Sequence, residues 1–452
     1  MPQPDDHHDV VVDADRTQIL HPWSTPSTRD AMVVAGASGC EFWDDQGNRY
    51  LDFTAQFAAV NPGHTHPRIV EAIQAQAARL PYAATPFATD AASRAARLIA
   101  EVTPGDLNRT FFTTGGAGAV EAAIKIARQA TGRSKIIGRV RDYHGASYGA
   151  LTVGRDFRTW PNEPGITGIT HVPEAYPLRC PFSCADRGGC DLVCGWAVEH
   201  AIRSEGGAAH VAAVIVEPVA GAGGVLVPPD GYLAELRAIC SRHDVLLIFD
   251  EVMTGFGRTG HWFAADTYGV VPDIMATAKG LTGGYVPMGA TIVREAVAER
   301  LDDQFLAHGM TYSGHALGCA AAAATIEVYK DEAMIENARA RGAELGAGLA
   351  QLADAHPSVA EARGVGLFWG LELVADPATN EPVHDAFSPP AGPTAKSAVL
   401  ESLMEQGVYC MGGAASVIMI APPLPISAAQ VTQGLRALDV ALDLADQALS
   451  ST

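Results

Sequence analysis

Apolar and polar positions fall into blocks along this chain, and two apolar blocks set its frame. Val245-Leu246-Leu247-Ile248-Phe249 runs unbroken into Asp250-Glu251, and Val211–Val216 runs unbroken into Glu217-Pro218. Apolar runs of strand length without alternation predict strands covered on both faces. Shorter strands are expected over 109–113, 135–137, 274–277 and 290–293. Apolar residues at helical spacing between them predict helices over 122–130 and 231–243. Strand and helix thus alternate from about 108 to 295, the pattern of an α/β domain with a mostly parallel sheet flanked by helices.

The two ends read differently. Residues 1–30 read as a mobile polar tail followed by an extended segment from His21-Pro22-Trp23 to Pro26. A small meander is expected over 32–53, turning at Asp45-Gln46-Gly47-Asn48. Helices follow over 68–80 and 89–102, and a long Ala-rich helical stretch runs from 316 to about 356. Beyond it, strands at 366–374, 407–410 and 417–421 and a last helix over 427–449 predict a second, α+β domain. Residues 375–393, rich in Pro, Ala and Asp, read as a mobile surface segment. The domain reading is an N-terminal segment (1–60) joining the small domain, a large domain (61–330) and a C-terminal small domain (331–452).

Length and composition sharpen this picture. With 452 residues, 48% hydrophobic and 18% charged, the chain exceeds one ordinary core. A net charge of −20 argues against nucleic acid or anionic membrane as a partner. No apolar run reaches membrane length, the first residues are acidic rather than signal-like, and dispersed Cys40, Cys240, Cys319 and Cys410 suit reduced thiols. A cytoplasmic location is expected.

Candidate chemistry sits at the strand ends. Asp250 closes one buried strand, and Lys279 follows a second short strand amid glycines. A carboxylate for a protonated ring nitrogen and a lysine for a Schiff base are what pyridoxal phosphate (PLP) requires. Gly115-Gly116-Ala117 turns a strand into a helix: either a backbone cradle for phosphate or a plain connection. The stretch carries neither a Walker loop nor the dinucleotide glycine fingerprint, which counts against a nicotinamide oxidoreductase. Tyr143, just past a strand end, either stacks on a planar ring or is an ordinary rim aromatic. Cys180, Cys184, Cys190 and Cys194, spaced C-x3-C-x5-C-x3-C in an insertion at about 176–196, either close a tetrahedral zinc site or remain free or partly oxidised thiols. Their spacing is not a standard ribbon or cluster pattern.

From about 28 to 445 the chain resembles the class III (omega-type) aminotransferases of PLP fold type I. The resemblance rests on Phe112-Thr113-Thr114-Gly115-Gly116-Ala117, Tyr143-His144-Gly145, Glu217-Pro218-Val219, the stretch from Asp250 to Gly260, Ala278-Lys279-Gly280, Thr311-Tyr312-Ser313-Gly314-His315 and Ala421-Pro422-Pro423-Leu424. It implies a seven-stranded large-domain sheet and a small domain built from both chain ends. It implies Lys279 as the Schiff-base lysine and Asp250 as partner of the ring nitrogen, with Glu217 supporting Asp250. Tyr143, beside His144, would stack on one face of the ring and Val252 pack on the other. Gly115, Gly116 and Ala117 would surround the phosphate. Thr311 would reach the phosphate of a partner subunit, giving a homodimer or a tetramer of paired dimers.

Departures from the family pattern bear on the substrate. Gly118 and Ala122 stand where relatives commonly carry Glu and Asn, which suggests a looser phosphate cup. Ala146 and Ala222 replace an arginine and a glutamate of the 4-aminobutyrate enzymes, and 409–425 contains no arginine. A guanidinium is the natural fork for a substrate carboxylate, so handling of glutamate or 2-oxoglutarate in the usual way is not expected. The pattern is closest to the amine-, β-alanine- and taurine–pyruvate enzymes: transfer from a terminal amine or ω/β-amino acid to pyruvate or a similar keto acid, by a ping-pong mechanism. A masked-acid substrate (thioester or amide), or an aminomutase or decarboxylase reaction on the same scaffold, is the alternative. Arg155 or Arg158 could supply a carboxylate receptor from a loop.

Overall fold

The computed structural model of the chain describes residues 4–25, 31–184, 188–388, 392, 394–413 and 416–450. Strands are numbered in chain order. The N-terminal meander is β1 (Val34–Ser38), β2 (Glu41–Asp44) and β3 (Arg49–Asp52), antiparallel in sequence. The large sheet uses β4 (Leu107–Thr113), β5 (Lys135–Arg139), β6 (Ile169–Val172), β7 (Val211–Val216), β8 (Leu246–Asp250), β9 (Ile274–Thr277) and β10 (Gly289–Arg294). Its order is β4-β10-β9-β8-β7-β5-β6, and only β10 runs antiparallel to its neighbours. The long apolar runs are its middle: every residue of β7, β8 and β9 is buried, with one apolar cluster on each face.

The second domain packs a hairpin, β11 (Val359–Val365) and β12 (Phe368–Asp376), beside β16 (Val417–Ile420). The strand expected over 366–374 is therefore only half of the unit. Gly366, φ +58°, is its turn, which β-branched residues would resist. β13 (Glu381–Pro382) pairs with β12, so the segment expected to be mobile is partly in the sheet; Pro389, Pro390, Ala391 and Pro393 lie outside the described residues. The strand expected at 407–410 splits. β14 (Val408–Tyr409) pairs in parallel with β3, and β15 (Met411–Gly412) pairs with β16. The β3–β14 pairing is what joins the two chain ends in one small unit.

The N-terminus departs from expectation. Pro4–Gln18 is a helix rather than an unstructured tail. Pro at its first position and Arg16 in its last turn suit a helix start and end, and His8 bonds Asp45 at 2.6 Å. Pro26 lies outside the described residues. Among the described residues no helix is long and apolar enough to cross a membrane.

Candidate active site

The C-terminal ends of β7, β8 and β9 and the turn after β4 converge, as open α/β sheets arrange their sites. Asp250 ends β8 and is 3% exposed. It accepts from the Val252 backbone N–H at 3.0 Å and is bonded to His144 Nδ1 at 2.7 Å. His144 is fully enclosed and its Nε2 has no hydrogen-bond partner, only Asp142 Oδ2 at 4.0 Å. Burial pushes this imidazole down, but the hydrogen bond and charge of Asp250, with Asp142 and Glu217, outweigh it and raise the pKa. His144 and Asp250 thus form one buried, hydrogen-bonded pair.

Glu217 does not hydrogen-bond Asp250. Its carboxylate accepts from the backbone N–H of Tyr143 (2.7 Å) and of Gly221 (2.9 Å). Burial, then the charges of Asp142 and Asp250, push its pKa up. Its visible work is to fix the backbone of the Tyr143 loop, and its link to Asp250 is through charge alone. Asp142 completes the frame, accepting from Glu217 N (3.0 Å) and from buried Arg139 (2.8 Å).

Lys279 opens a single helical turn directly after β9, with φ +40°. A lysine held in the left-handed region costs roughly 1–2 kcal/mol, a strain that clusters at functional sites. Burial pushes its ammonium down to about 8, with Arg258 assisting and Glu217 and Asp250 opposing. Those two carboxylates are thus its electrostatic neighbours.

The turn after β4 starts the helix Gly116–Thr131, and no side chain caps it. A Cβ added at Gly115 would meet nothing within 4 Å, whereas one at Gly116 would press on Val252 at 3.1 Å. Open space before uncapped N–H groups, walled by Val252, fits a phosphate. Gly118 does not leave the cup loose: a Cβ there would meet Met310 at 3.0 Å, so that side chain takes the room. The donor set therefore fits PLP: open N–H groups suit a phosphate, the Asp250 carboxylate a protonated ring nitrogen and the Lys279 amine an aldehyde. Thr311 stands apart, exposed, its carbonyl accepting from Tyr82 Oη at 2.9 Å.

Three further residues neighbour the site: Arg158, one of the two candidate loop arginines, and Trp23 and Phe57, which were not expected there. Arg158 lies over the Tyr143 ring at 4.0 Å. Trp23 meets Tyr143 edge-on at 6.4 Å and Phe57 at 5.7 Å. Phe57 belongs to a turn, Ala55–Ala58, whose four residues all have positive φ. Their sequence carries no glycine to signal that conformation. Arg155 is not at the site; it is 43% exposed, with Glu163 at 4.0 Å.

The four clustered cysteines are free thiols, Cys184 and Cys194 buried and Cys190 exposed. Among the described residues, the one trio of metal-ligating atoms within 4.8 Å of one another is His356, Asp443 and Asp446. Cys184 donates to Asp191 at 3.7 Å, and burial, then the charges of Cys190 and Cys180 close by, push the Cys194 thiol pKa up.

This sheet, with a lysine and a carboxylate at adjoining strand ends, defines a PLP-dependent transferase of fold type I. Residues 24–442 match the family described as aminotransferase class-III, and the chain belongs to that family. It is 39% identical to an omega-aminotransferase of Caulobacter vibrioides over 88% of this chain and 90% of that one. It is 41% identical to an acetylornithine aminotransferase of Methanopyrus kandleri over 76% and 82%. Proteins named putrescine–pyruvate and taurine–pyruvate aminotransferase match as well. Among solved structures, taurine:2-oxoglutarate aminotransferase from Bifidobacterium kashiwanohense, in complex with PLP and glutamate, superposes with a TM-score of 0.90 at 33% identity. That match covers 97% of this chain and 98% of that one. The chain is a PLP-dependent aminotransferase, acting on an amine donor and a keto acid.

Proposed function

We propose that the enzyme moves an amino group from a terminal amine or ω/β-amino acid to pyruvate or a similar keto acid, by ping-pong exchange. The observation that carries this reading is the residue set at three family substrate positions: Ala146, Ala222 and a C-terminal stretch, 409–425, without arginine. Glutamate and 2-oxoglutarate need a second carboxylate receptor that these positions do not offer. Trp23 and Phe57 beside Tyr143 offer apolar surface to a donor chain instead. The pyruvate-using relatives are consistent with this choice.

PLP supplies an aldehyde that condenses with amines and a ring that draws electrons from the bond to be broken. The N–H groups of Gly116 and Ala117 would hold its phosphate, and Val252 and Tyr143 would flank its ring. Asp250 would pair with the protonated ring nitrogen, and His144, bonded to Asp250 at 2.7 Å, would hold that carboxylate in place. Glu217 positions Tyr143 through that residue's backbone N–H. Lys279 Nζ would take the proton from the amine-bearing carbon, and burial, which lowers its pKa to about 8, suits that work at neutral pH.

We further assign Thr311 to the phosphate of a partner subunit in a homodimer. Its exposure, and that of Phe87 (70%), Tyr312 (57%) and Phe305 (90%) in the same isolated chain, supports burial there by a second copy. Eight free thiols accord with a cytoplasmic location.

The test is the absorption spectrum of the PLP-loaded protein with β-alanine, taurine, 4-aminobutyrate, an arylalkylamine and glutamate in turn. Conversion to the aminated-cofactor band by an ω-donor, reversed by pyruvate, is expected. Conversion by glutamate but none of the others would refute the donor reading.

A further inference from the structure

Residues 154–168 link the helix Tyr148–Val153 to β6, and they carry an arginine held in an unusual way. Asp156 accepts from the backbone N–H of Arg158 at 2.8 Å and from its Nε at 2.9 and 3.1 Å; Nη2 also bonds this carboxylate. Thr159 N donates to the Asp156 carbonyl at 2.9 Å, so the whole bend is tied. The guanidinium is thereby set over Tyr143, its Cζ 4.0 Å from the ring centroid, with 19% of its side chain exposed. A guanidinium has two edges able to grip a carboxylate. Asp156 occupies the Nε/Nη2 edge, and Nη1 has no hydrogen-bond partner among the described residues.

The other arginines near this loop are committed. Arg139 is buried against Asp142. Arg141 donates to the Gly223 carbonyl at 2.7 Å and lies over Tyr176. Arg258 is fully buried and donates to Asn61 and two backbone carbonyls. Arg158 alone of these touches Tyr143 and keeps an edge open. Its proximity to Trp23 and Phe57, through Tyr143, puts a fixed cation next to an apolar wall.

We infer that Arg158 is a specificity-determining residue, its open guanidinium end receiving the carboxylate or sulfonate of an ω-amino acid donor and the carboxylate of the keto acid acceptor. This rests on the donor class proposed above. Asp156 already balances the charge, so the attraction is modest, and donors without an acid remain substrates against the aromatic wall.

The experiment compares wild type, Arg158→Gln and Arg158→Lys, all PLP-loaded, with β-alanine and n-propylamine as donors and pyruvate as acceptor. Loss of a charge-assisted bond predicts a KM for β-alanine raised about tenfold or more in R158Q, with kcat within about threefold. R158K, which keeps charge without the fork, falls between, and n-propylamine kinetics stay unchanged. Calorimetric titration with propionate, which has the acid and no amine, supplies a readout independent of turnover. Its affinity falls by a similar factor in R158Q. Equal losses for both donors would show a structural role and overturn the inference, as would unchanged β-alanine and propionate values. Wild type that converts neither donor refutes the donor reading instead; propionate binding that still depends on Arg158 would keep the receptor assignment.

Discussion

Replacing His144 by Asn tests the link that makes Asp250 useful. In the native chain the Asp250 carboxylate has two donors, the Val252 N–H at 3.0 Å and His144 at 2.7 Å. Asn can place an amide N–H where Nδ1 stands but cannot carry charge, so Asp250 loses its cationic donor at a position only 3% exposed. Losing a charge-assisted hydrogen bond to a buried group costs about 2–3 kcal/mol. If that loss falls on the ring-nitrogen contact, it is realised in the transition state, where electron demand is greatest. At about 1.36 kcal/mol per decade, the first half-reaction slows roughly 30- to 160-fold. Stopped-flow loss of the lysine-bound cofactor band after mixing with donor measures it, at saturating PLP. The pH profile adds a second sign. His144 has a raised pKa, so its charge is present at low pH and lost as pH climbs through that raised value. The wild-type rate falls along that limb and the variant lacks the limb. A variant within threefold of wild type, with the same profile, would make His144 a packing residue and refute the reasoning.

Gly145→Ala should weaken PLP binding about tenfold or more in an equilibrium titration. Gly145 has φ +132°, and its added Cβ would stand 2.5 Å from that of Ala117, in the first turn of the phosphate helix. His356 bridges Asp446 (2.7 Å) and Asp439 (3.1 Å) on the last helix, Ala428–Ser450, and these partners raise its pKa against the effect of burial. Its contribution is present in full below the unfolded value of 6.5 and is lost as pH rises through the raised folded value. His356→Gln should therefore lower urea stability by about 1–2 kcal/mol at pH 6 and by less at pH 9. Thiol titration of the native protein should modify exposed Cys190 first, and buried Cys184 and Cys194 only on unfolding, without stoichiometric zinc by elemental analysis. One tightly bound zinc per chain would contradict that.

Much of the large domain was legible because its strands are single-purpose. Residues 211–216 and 245–250 have no polar interruption, and a run of that length between helices has one structural solution. Lys279 and Asp250 were visible for a related reason: each follows a short, largely apolar strand. Edge elements were harder. β6, Ile169–Val172, is short and only partly buried, and its Thr-His pair blurs the signal. The helix Val193–Ser204 was hidden behind the cysteine spacing, which drew attention to metal rather than to periodicity. The N-terminal helix looked like a tail because its polar residues bury little and its contact, His8 to Asp45, is long-range. Arg158 illustrates the limit at the site. Its type and loop were readable, but its place over Tyr143 depends on Asp156 holding it side-on.

The central claim is that Lys279 carries the cofactor. Borohydride reduction of the PLP-loaded protein, digestion and mass spectrometry locate the modified lysine. The account predicts a phosphopyridoxyl group on Lys279 and none on Lys125, Lys135, Lys330 or Lys396. Modification at Lys396, whose pKa burial also lowers to about 8, with Lys279 unmodified, would contradict it.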